Sequence, residues 1–254
     1  MIQKNKTAFI TGATSGIGKA CAQLFAAHNY NLIICGRRKD RLDLLQRELM
    51  EQNKVNVLTC VFDVKNRIEV EQALNGVLLE IEKIDVLINN AGLSLGRDSF
   101  SDASLDDWQN MMQTNVMGVM YVTKTLMPLL IESKTHIINL GSIAGKEVYE
   151  NGNGYCASKF ALDALSKSMR IDLLKTGNKV TAIHPGAVET EFSLVRYKGD
   201  QEKADAVYVG FQPLTGLDVA NTILFAASLP EHVCINELTV MPTAQASAFH
   251  FHKK

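Results

Sequence analysis

The fold is indicated by the stretch Thr7-Ala8-Phe9-Ile10-Thr11-Gly12-Ala13-Thr14-Ser15-Gly16-Ile17-Gly18 near the start of the chain. Its first five residues are apolar or β-branched, which is typical of a buried strand. Glycines follow with the spacing G-x-x-x-G-x-G, and a helical pattern continues from Lys19. Glycine permits a sharp turn and a close approach of the backbone to a pyrophosphate, and the helix N-terminus offers free N–H groups to phosphates. The stretch therefore predicts a dinucleotide site, although a tight turn without a ligand would also use glycines.

Short β-branched runs alternate with amphipathic runs along the rest of the chain. Predicted strands occupy residues 7–11, 31–35, part of 55–62, 85–89, 136–140, 179–183 and 237–240. Their continuous apolar character is typical of parallel strands that are covered on both faces. Helical periodicity fills the gaps, as at Leu42, Leu45 and Leu49. Residues 1–254 are therefore predicted to form one α/β domain, a doubly wound Rossmann fold whose seven-stranded parallel sheet is flanked by helices.

One long connection interrupts this alternation. Residues 188–213 follow the end of a predicted strand and carry polar and charged side chains, including Arg196, Lys198 and Lys203. Loops at that end of an open α/β sheet line the ligand crevice. We therefore expect a substrate lid here, although a solvated insertion with no role in binding would have the same composition.

The second predicted strand ends in Cys35-Gly36-Arg37-Arg38. A chain that binds NAD would carry a carboxylate near this point for the ribose 2′-hydroxyl. Guanidinium groups match the geometry of a phosphate instead. The two arginines therefore predict NADP(H), unless they only begin the next helix. Asp63, at the end of the third predicted strand, is expected to meet the edge of the adenine.

A candidate catalytic group lies further along the chain. Tyr155 and Lys159 are four residues apart in a helical stretch, so their side chains share one face of the helix. A phenol with its ordinary pKa is a poor acid or base at neutral pH, and a neighbouring ammonium group lowers that pKa. Ser142 follows the fifth predicted strand, at the same edge of the sheet as the glycine turn. These residues predict a site that exchanges a proton with a substrate oxygen.

Several motifs, in this order, resemble those of the short-chain dehydrogenase/reductase family. They are residues 11–18, Asn89-Asn90-Ala91-Gly92, Asn115, Ser142, Tyr155-Cys156-Ala157-Ser158-Lys159 and Pro185-Gly186-Ala187-Val188-Glu189-Thr190. The resemblance covers nearly the whole chain. It implies an oxidoreductase that transfers a hydride between NADP(H) and a substrate, assembled as a homotetramer or a homodimer.

The resemblance also implies a role for individual residues. Tyr155 would exchange the proton, Ser142 would polarise the substrate oxygen, Lys159 would hold the nicotinamide ribose, and Asn115 would hold a water in a proton relay. The residues implied at the cofactor are Gly12, Thr14, Ser15, Gly16, Ile17, Gly18, Arg37, Arg38, Asp63, Val64, Asn89, Ala91, Gly92, Tyr155, Lys159, Pro185, Gly186, Val188 and Thr190.

A closer resemblance lies in the last third of the chain. Residues 190–200, residues 229–233 and the tail around Met241-Pro242 are similar to those of the NADP-dependent 3-hydroxy acid dehydrogenases. That subgroup implies a small 3-hydroxy acid, or the matching semialdehyde, as substrate. A substrate carboxylate needs a cation, and Arg196 is the candidate because a guanidinium binds a carboxylate through two parallel hydrogen bonds. A lid-surface arginine paired elsewhere is the alternative. The predicted substrate residues are thus Ser142, Tyr155 and Arg196.

Composition argues against several other classes of function. The chain has 26 basic and 27 acidic side chains, and this balance disfavours a nucleic-acid or anionic-membrane partner. The polar start of the chain lacks the apolar region of a signal peptide, and the five cysteines are scattered, so we expect a cytoplasmic protein. Histidines such as His136 and His184 show no ligand spacing, so no metal site is predicted.

Two rival functions remain open from the sequence. A carbonyl or sepiapterin-type reductase would use the same fold on larger, neutral ketones. A regulator that binds NADP without turnover would need the glycine turn but would have no use for Ser142, Tyr155 and Lys159 together. An assay with hydroxy acids and bulky ketones separates these possibilities.

Overall fold

The computed structural model describes residues 5–254; residues 1–4, which the predicted domain includes, lie outside the described part. All strands in it join one sheet of seven parallel strands in the order β3-β2-β1-β4-β5-β6-β7. The predicted doubly wound sheet is therefore confirmed. The strands are β1 Thr7–Ile10, β2 Asn31–Gly36, β3 Val57–Val61, β4 Val86–Asn89, β5 His136–Leu140, β6 Lys179–Pro185 and β7 Glu237–Val240.

Helices fill the connections between the strands. They are α1 Gly16–Ala27, α2 Lys39–Gln52, α3 Arg67–Glu80, α4 Leu105–Met112, α5 Gly118–Glu132, α6 Asn153–Asp172, α7 Phe192–Arg196, α8 Gln201–Ala206 and α9 Gly216–Ser228. A π-helical turn, Gln113–Met117, joins α4 to α5, and short 3-10 turns occupy Ile143–Gly145 and Leu174–Thr176.

The two faces of the sheet carry separate apolar cores. On one face Ile34 and Ile88 pack with side chains of α1, α2 and α9. On the other face Phe9, Ile33 and Leu87 pack with side chains of α3 and α5. Because successive strand side chains point to opposite faces, an uninterrupted apolar run supplies both cores at once. This is why the strands lack an alternating polar pattern.

Some element boundaries differ from the predicted ones. Helix α1 begins at Gly16 rather than at Lys19, so the last two glycines already belong to its first turn. Strand β2 extends to Gly36 because this residue still pairs with Val61, and β6 extends to Pro185 because it pairs with Val240. The pairing partners lie far away in sequence, so a local pattern does not reveal these extensions.

The order of the strands places the crevice. Chain connections from β1 and β4 leave toward opposite sides of the sheet, and these two strands are neighbours. In open α/β sheets ligands bind at such a switch point, outside the carboxyl ends of the strands. The glycine turn follows β1 at this edge, and Asn90 follows β4.

Residues 188–213 form an excursion, a segment that leaves the sheet after β6 and returns above that edge. Val188 and Leu214 form a bridge at its base, where Glu189 N donates to Leu214 O at 2.8 Å and Leu214 N donates to Ala187 O at 3.0 Å. Between them lie α7 and α8. Within residues 5–254, no helix is both long and apolar enough to cross a membrane.

Candidate active site

The glycine turn approaches the end of β4 closely. Gly12 has φ +66°, and a Cβ there would lie 2.9 Å from the Ala91 Cα. Gly16 has φ +53°, a backbone conformation that favours glycine. A Cβ on Gly18 would collide with the carbonyl of Gly12, so this glycine allows the helix to pack behind the turn. Gly18 is thus a packing residue rather than a wall of the pocket.

A pocket of about 300 Å³ opens above the turn at the carboxyl edge of the sheet. Most of the residues predicted for the cofactor line it, contributed by loops that follow six different strands. Those lining residues are Gly12, Thr14, Ser15, Gly16, Ile17, Arg37, Arg38, Asp63, Val64, Ala91, Gly92, Tyr155, Lys159, Pro185, Gly186, Val188 and Thr190.

The two arginines after β2 lie at one end of this pocket. The Arg38 Nε and Nη2 atoms donate to Thr14 Oγ1 at 3.1 and 2.8 Å, and Nη2 also donates to Ser15 Oγ at 2.9 Å. Arg37 Nη1 lies 3.4 Å from Asp63 Oδ2. The Arg38 guanidinium therefore borders the glycine turn, as a site for a phosphorylated ribose requires, and Arg37 lies beside Asp63 at the same pocket.

Tyr155 and Lys159 both project from α6 into the opposite end of the pocket. The Lys159 Nζ atom lies 5.8 Å from the centre of the Tyr155 ring and donates to the carbonyl of Leu140 at 2.8 Å. Ser142 lines the same pocket, and its hydroxyl acts to lower the pKa of Tyr155. The structure therefore brings together the three side chains on which the catalytic prediction depends.

The pKa values in this group differ in one respect from the prediction. Burial raises the pKa of Tyr155 to about 12, against the opposing effects of the Arg196 cation and the Ser142 hydroxyl. Burial lowers the pKa of Lys159 to about 8. The expectation that Lys159 depresses the pKa of Tyr155 is corrected here, because desolvation dominates and the cation that acts on the phenol is Arg196.

Asn115 stands behind the pair, in the π-helical turn. Its Nδ2 donates to Leu93 O at 2.8 Å and to Ser158 Oγ at 2.9 Å, and its Oδ1 accepts from Leu93 N at 2.8 Å. A Cβ on Gly92 would lie 3.2 Å from Asn115 Oδ1 and 3.6 Å from Lys159 Nζ. Turns of this kind are frequent at functional sites. These distances place Asn115 next to the pocket, although it is not among the residues that line it.

The motif after β4 divides its residues between two environments. Asn89, predicted at the cofactor, directs its side chain into the protein, where Nδ2 donates to Thr123 Oγ1 at 3.1 Å and to Asn139 Oδ1 at 2.9 Å. The next residue, Asn90, lines the pocket and donates from Nδ2 to Thr11 O at 2.8 Å. Asn90, rather than the predicted Asn89, therefore lines the pocket, because successive side chains at a strand end point to opposite faces.

Arg196, at the end of α7, lies over Tyr155. Its guanidinium carbon is 5.1 Å from the centre of the Tyr155 ring and 5.0 Å from that of Phe192. Nε donates to Ser94 Oγ at 3.1 Å, and Nη2 donates to the Tyr149 hydroxyl at 3.2 Å. Across residues 5–254, no carboxylate lies within ion-pair distance of this guanidinium. Its charge is therefore free to bind an anion.

Other contacts of the site were not predicted from the sequence. Gln245, in the C-terminal tail, accepts a hydrogen bond from Ala187 N at 2.8 Å and so supports the loop after β6. Glu191 lines the pocket and binds Arg38. Phe192 lies 5.6 Å from Tyr155 between ring centres. Gln245 lies in no motif, and no role was predicted for Glu191 or Phe192 within residues 190–200, so only the folded chain shows their contacts at the pocket.

A cluster of side chains that could ligate a metal lies behind Ser142. Asp163, His184 and Glu237 offer ligand atoms within 4.8 Å of one another, a grouping that the histidine spacing did not predict. Lys146 Nζ, however, lies 2.7 Å from both Asp163 Oδ1 and Glu237 Oε2. The ammonium groups of Lys146 and Lys167 both pair with these two carboxylates, so the cluster is an ion-pair network next to the backbone of Ser142.

Known proteins resemble the chain over nearly its full length. Sulfoacetaldehyde reductase 2 of Chromohalobacter salexigens is 44% identical over 243 residues, which are 94% of this chain and 96% of the relative. An NADP-dependent 3-hydroxy acid dehydrogenase of Schizosaccharomyces pombe is 40% identical over 251 residues, 98% of this chain and 97% of the relative. The closed form of serine dehydrogenase complexed with NADP+ matches with a TM-score of 0.91 at 39% identity and covers 98% of this chain and 100% of that chain.

A family model adds the decisive comparison. The model described as short chain dehydrogenase matches residues 6–200, which include the glycine turn, Ser142, Tyr155 and Lys159. The match extends over most of the chain and ends within the excursion that carries Arg196. With the geometry of the pocket and relatives at 40% identity or more, it shows that this chain belongs to the short-chain dehydrogenase family.

Proposed function

We propose that this protein is an NADP(H)-dependent oxidoreductase that transfers a hydride between the nicotinamide and a small 3-hydroxy acid, or the matching semialdehyde or ketone. The observation that carries the choice of substrate is the Arg196 guanidinium, which lies 5.1 Å from the Tyr155 ring centre. Its hydrogen-bond partners, Ser94 and Tyr149, are neutral, so its charge is available to a substrate anion. A hydroxy acid bound there through its carboxylate would have its hydroxyl group near the Tyr155 phenol.

The cofactor proposal follows from the shape and charge of the pocket. The turn at Gly12 and Gly16 leaves no room for side chains where the backbone must approach a phosphate. Arg37 and Arg38 border its adenosine end. When bound, NADP(H) accepts or supplies the hydride, while the protein provides orientation and charge. Relatives that use NADP include the S. pombe dehydrogenase and the serine dehydrogenase complex.

The acid/base step is assigned to Tyr155. During oxidation, the Tyr155 oxygen accepts the hydroxyl proton of the substrate while the C–H electron pair leaves as hydride; reduction reverses both transfers. Ser142 donates a hydrogen bond to the same substrate oxygen and orients it. Lys159 holds the nicotinamide ribose, and Asn115 supports the path by which the proton reaches solvent.

Residues 188–213 are proposed as the substrate lid. The first helix of this segment, α7, carries Arg196 at its end and Phe192 at its start, and both side chains lie against Tyr155. Val188 and Leu214 anchor the segment at its base. A lid on such anchors can cover the substrate and exclude water, which strengthens the interaction of Arg196 with an anion.

A substrate panel with NADP(H) and NAD(H) tests the proposal. We expect turnover of 3-hydroxy acids with NADP and weak or no turnover of matched alcohols that lack the carboxylate. The Arg196→Met variant should lower kcat/KM for a hydroxy acid by about ten- to hundredfold more than for a neutral alcohol, because a charge-assisted hydrogen bond to the carboxylate is lost only with the acid. Equal losses for both substrates would contradict the role of Arg196.

The same panel decides between related activities. A guanidinium also binds a sulfonate, and the sulfoacetaldehyde reductase relative makes a small sulfonated aldehyde a necessary member of the panel. Preference for a bulky neutral ketone would favour a carbonyl or sepiapterin-type reductase instead. Binding of NADP without turnover of any substrate would favour a regulator.

The proposal extends to assembly and location. We propose a cytoplasmic homotetramer or homodimer, since α5 and α6 expose apolar side chains that a partner subunit would cover. Light scattering on the purified protein should give the mass of four or two chains. The exposed apolar residues on these helices are Met120, Ile131, Phe160 and Ile171.

A further inference from the structure

Glu191 lies at the border between the cofactor pocket and the proposed lid. It directly precedes α7 and lines the pocket. Its Oε2 is 2.9 Å from Arg38 Nη1, and its Oε1 is 2.7 Å from Arg41 Nη1. Burial alone would raise the pKa of Glu191, but hydrogen bonds from the two arginines outweigh it and hold that pKa below its usual range. Glu191 is therefore a carboxylate anion between two guanidinium groups.

The contact between Arg38 and Glu191 matters for binding because the other nitrogens of Arg38 are already engaged. Nε and Nη2 already donate to Thr14 and Ser15 of the glycine turn, so Nη1 is the nitrogen that faces Glu191. A carboxylate and a phosphate present similar oxygen pairs to a guanidinium. The proposed function places the cofactor 2′-phosphate beside this same arginine. The phosphate and Glu191 would then require the same donor.

Arg41 provides a place for the displaced carboxylate. It binds the second oxygen of Glu191 and is not among the residues that line the pocket. Glu191 can give up Arg38 and remain paired with Arg41, so displacement does not leave an unpaired charge. Arg37 differs, because its 3.4 Å contact with Asp63 is longer and its side chain is 63% exposed.

We propose that Glu191 is a specificity-determining residue, whose carboxylate competes with the 2′-phosphate of NADP(H) for Arg38 and moves fully onto Arg41 when the phosphate binds. The inference rests on the proposed use of NADP(H). It predicts that Glu191 weakens the binding of NADP and leaves the binding of NAD, which lacks the phosphate, unchanged. Glu191 thus reduces the preference for NADP over NAD that Arg37 and Arg38 create.

Equilibrium binding measures this competition without any turnover. Calorimetric titration of the full chain would use NADP and NAD, with adenosine 2′,5′-bisphosphate and AMP as probes of the phosphate alone. Glu191→Gln should tighten NADP and the bisphosphate about two- to fivefold, the range of an exposed ion pair, and leave NAD and AMP unchanged. Glu189→Gln is the matched control, since Glu189 is exposed two residues away and joins no ion pair described within residues 5–254.

A double-mutant cycle tests the part assigned to Arg41. Arg41→Met should weaken NADP in the wild-type background, because Glu191 then depends on Arg38 alone. In the Glu191→Gln background the same change should have no effect. An equal loss in both backgrounds would mean that Arg41 binds the phosphate directly, and the proposal would be overturned.

Other outcomes separate this inference from the proposed function. A wild-type protein that binds NADP, but whose Glu191→Gln variant binds it no more tightly, contradicts the Glu191 inference alone. An equal gain from Glu189→Gln also contradicts it, because a general change of charge would then explain the effect. A wild-type protein that binds neither dinucleotide contradicts the proposed function, and the inference with it.

Discussion

At the scale of single residues, the proposed acid/base chemistry depends on how burial and nearby charges act on the phenol of Tyr155. Tyr155 is almost fully buried, and this burial raises its pKa to about 12. Arg196, rather than Lys159, is the cation that opposes the shift. A positive group near the phenol, whether a side chain or an oxidised nicotinamide, favours the phenolate that oxidation needs. Arg196, the proposed binding residue for the substrate anion, thus also acts to lower the pKa of Tyr155.

The raised pKa predicts the pH dependence of the reaction. Below its pKa the phenolate fraction of Tyr155 rises with pH, so kcat/KM for oxidation should increase by up to about tenfold per pH unit through the neutral range. Reduction uses the protonated phenol, which is already the main form there, so its rate should not rise with pH. Initial rates in both directions between roughly pH 6 and 9 check this sign.

Tyr155→Phe provides the control for that profile. The variant should lower kcat by about 10²- to 10⁴-fold, because the general acid/base is removed, while NADP still binds. Its residual rate should lose the dependence on pH. A variant with near-normal oxidation, or one that keeps the wild-type slope, would contradict the assignment of Tyr155.

At the scale of elements, the proposed lid is held by the structures at its two ends. After residues 188–213 the chain enters α9 through a capping box, in which Thr215 Oγ1 accepts from Asp218 N at 3.2 Å and Asp218 Oδ2 accepts from Thr215 N at 2.7 Å. Helix α9 packs Val219 and Ile223 into the same core as α1. The end of the proposed lid is therefore coupled to the helix that begins at the glycine turn.

We expect Thr215→Ala to destabilise the protein by about 1 kcal/mol, because an N-cap hydrogen bond is lost. The melting temperature should fall by about 2–4 °C in a chain of this size. Thr222→Ala is the matched control, since Thr222 is half-buried within the same helix and its side chain donates to Asp218 O. Its effect should stay within about 0.5 kcal/mol. Equal shifts in thermal unfolding for the two variants would contradict a capping role.

At the scale of the whole molecule, the cofactor pocket joins the two halves of the sheet. Loops after β1, β2 and β3 contribute to it from one side, and loops after β4, β5 and β6 from the other. A ligand that contacts all of these loops in the folded state, and none in the unfolded chain, stabilises the fold as a unit. Thermal unfolding therefore reports binding at this site.

We predict that NADP raises the melting temperature more than NAD does at equal concentration. At about a hundred times its Kd, NADP should add about 2.7 kcal/mol to the free energy of unfolding. Replacing Arg37 and Arg38 together by alanine should remove the excess stabilisation by NADP and leave the effect of NAD. Differential scanning fluorimetry measures these shifts. Equal losses for both dinucleotides would show that the arginines do not recognise the phosphate.

Several features of this protein were determined by its sequence alone. The continuous apolar runs predicted the strands of a parallel sheet, because this pattern is visible within a few neighbouring residues. The glycines after the first of these runs predicted a turn at the end of β1. Tyr155 and Lys159 share a face because four residues make about one helical turn. These inferences need only neighbours in the chain, and the structure agrees with each of them.

Only the tertiary structure decided the contacts that distant segments create. Arg38 and Glu191 are 153 residues apart in the chain, yet they form an ion pair. The same holds for Gln245 beneath Ala187, and the side chain that lines the pocket after β4 is Asn90 rather than Asn89. Burial of Tyr155 reversed the expected direction of its pKa shift. Such contacts depend on how packed helices and loops meet in space, and residue spacing along a chain carries no information on that.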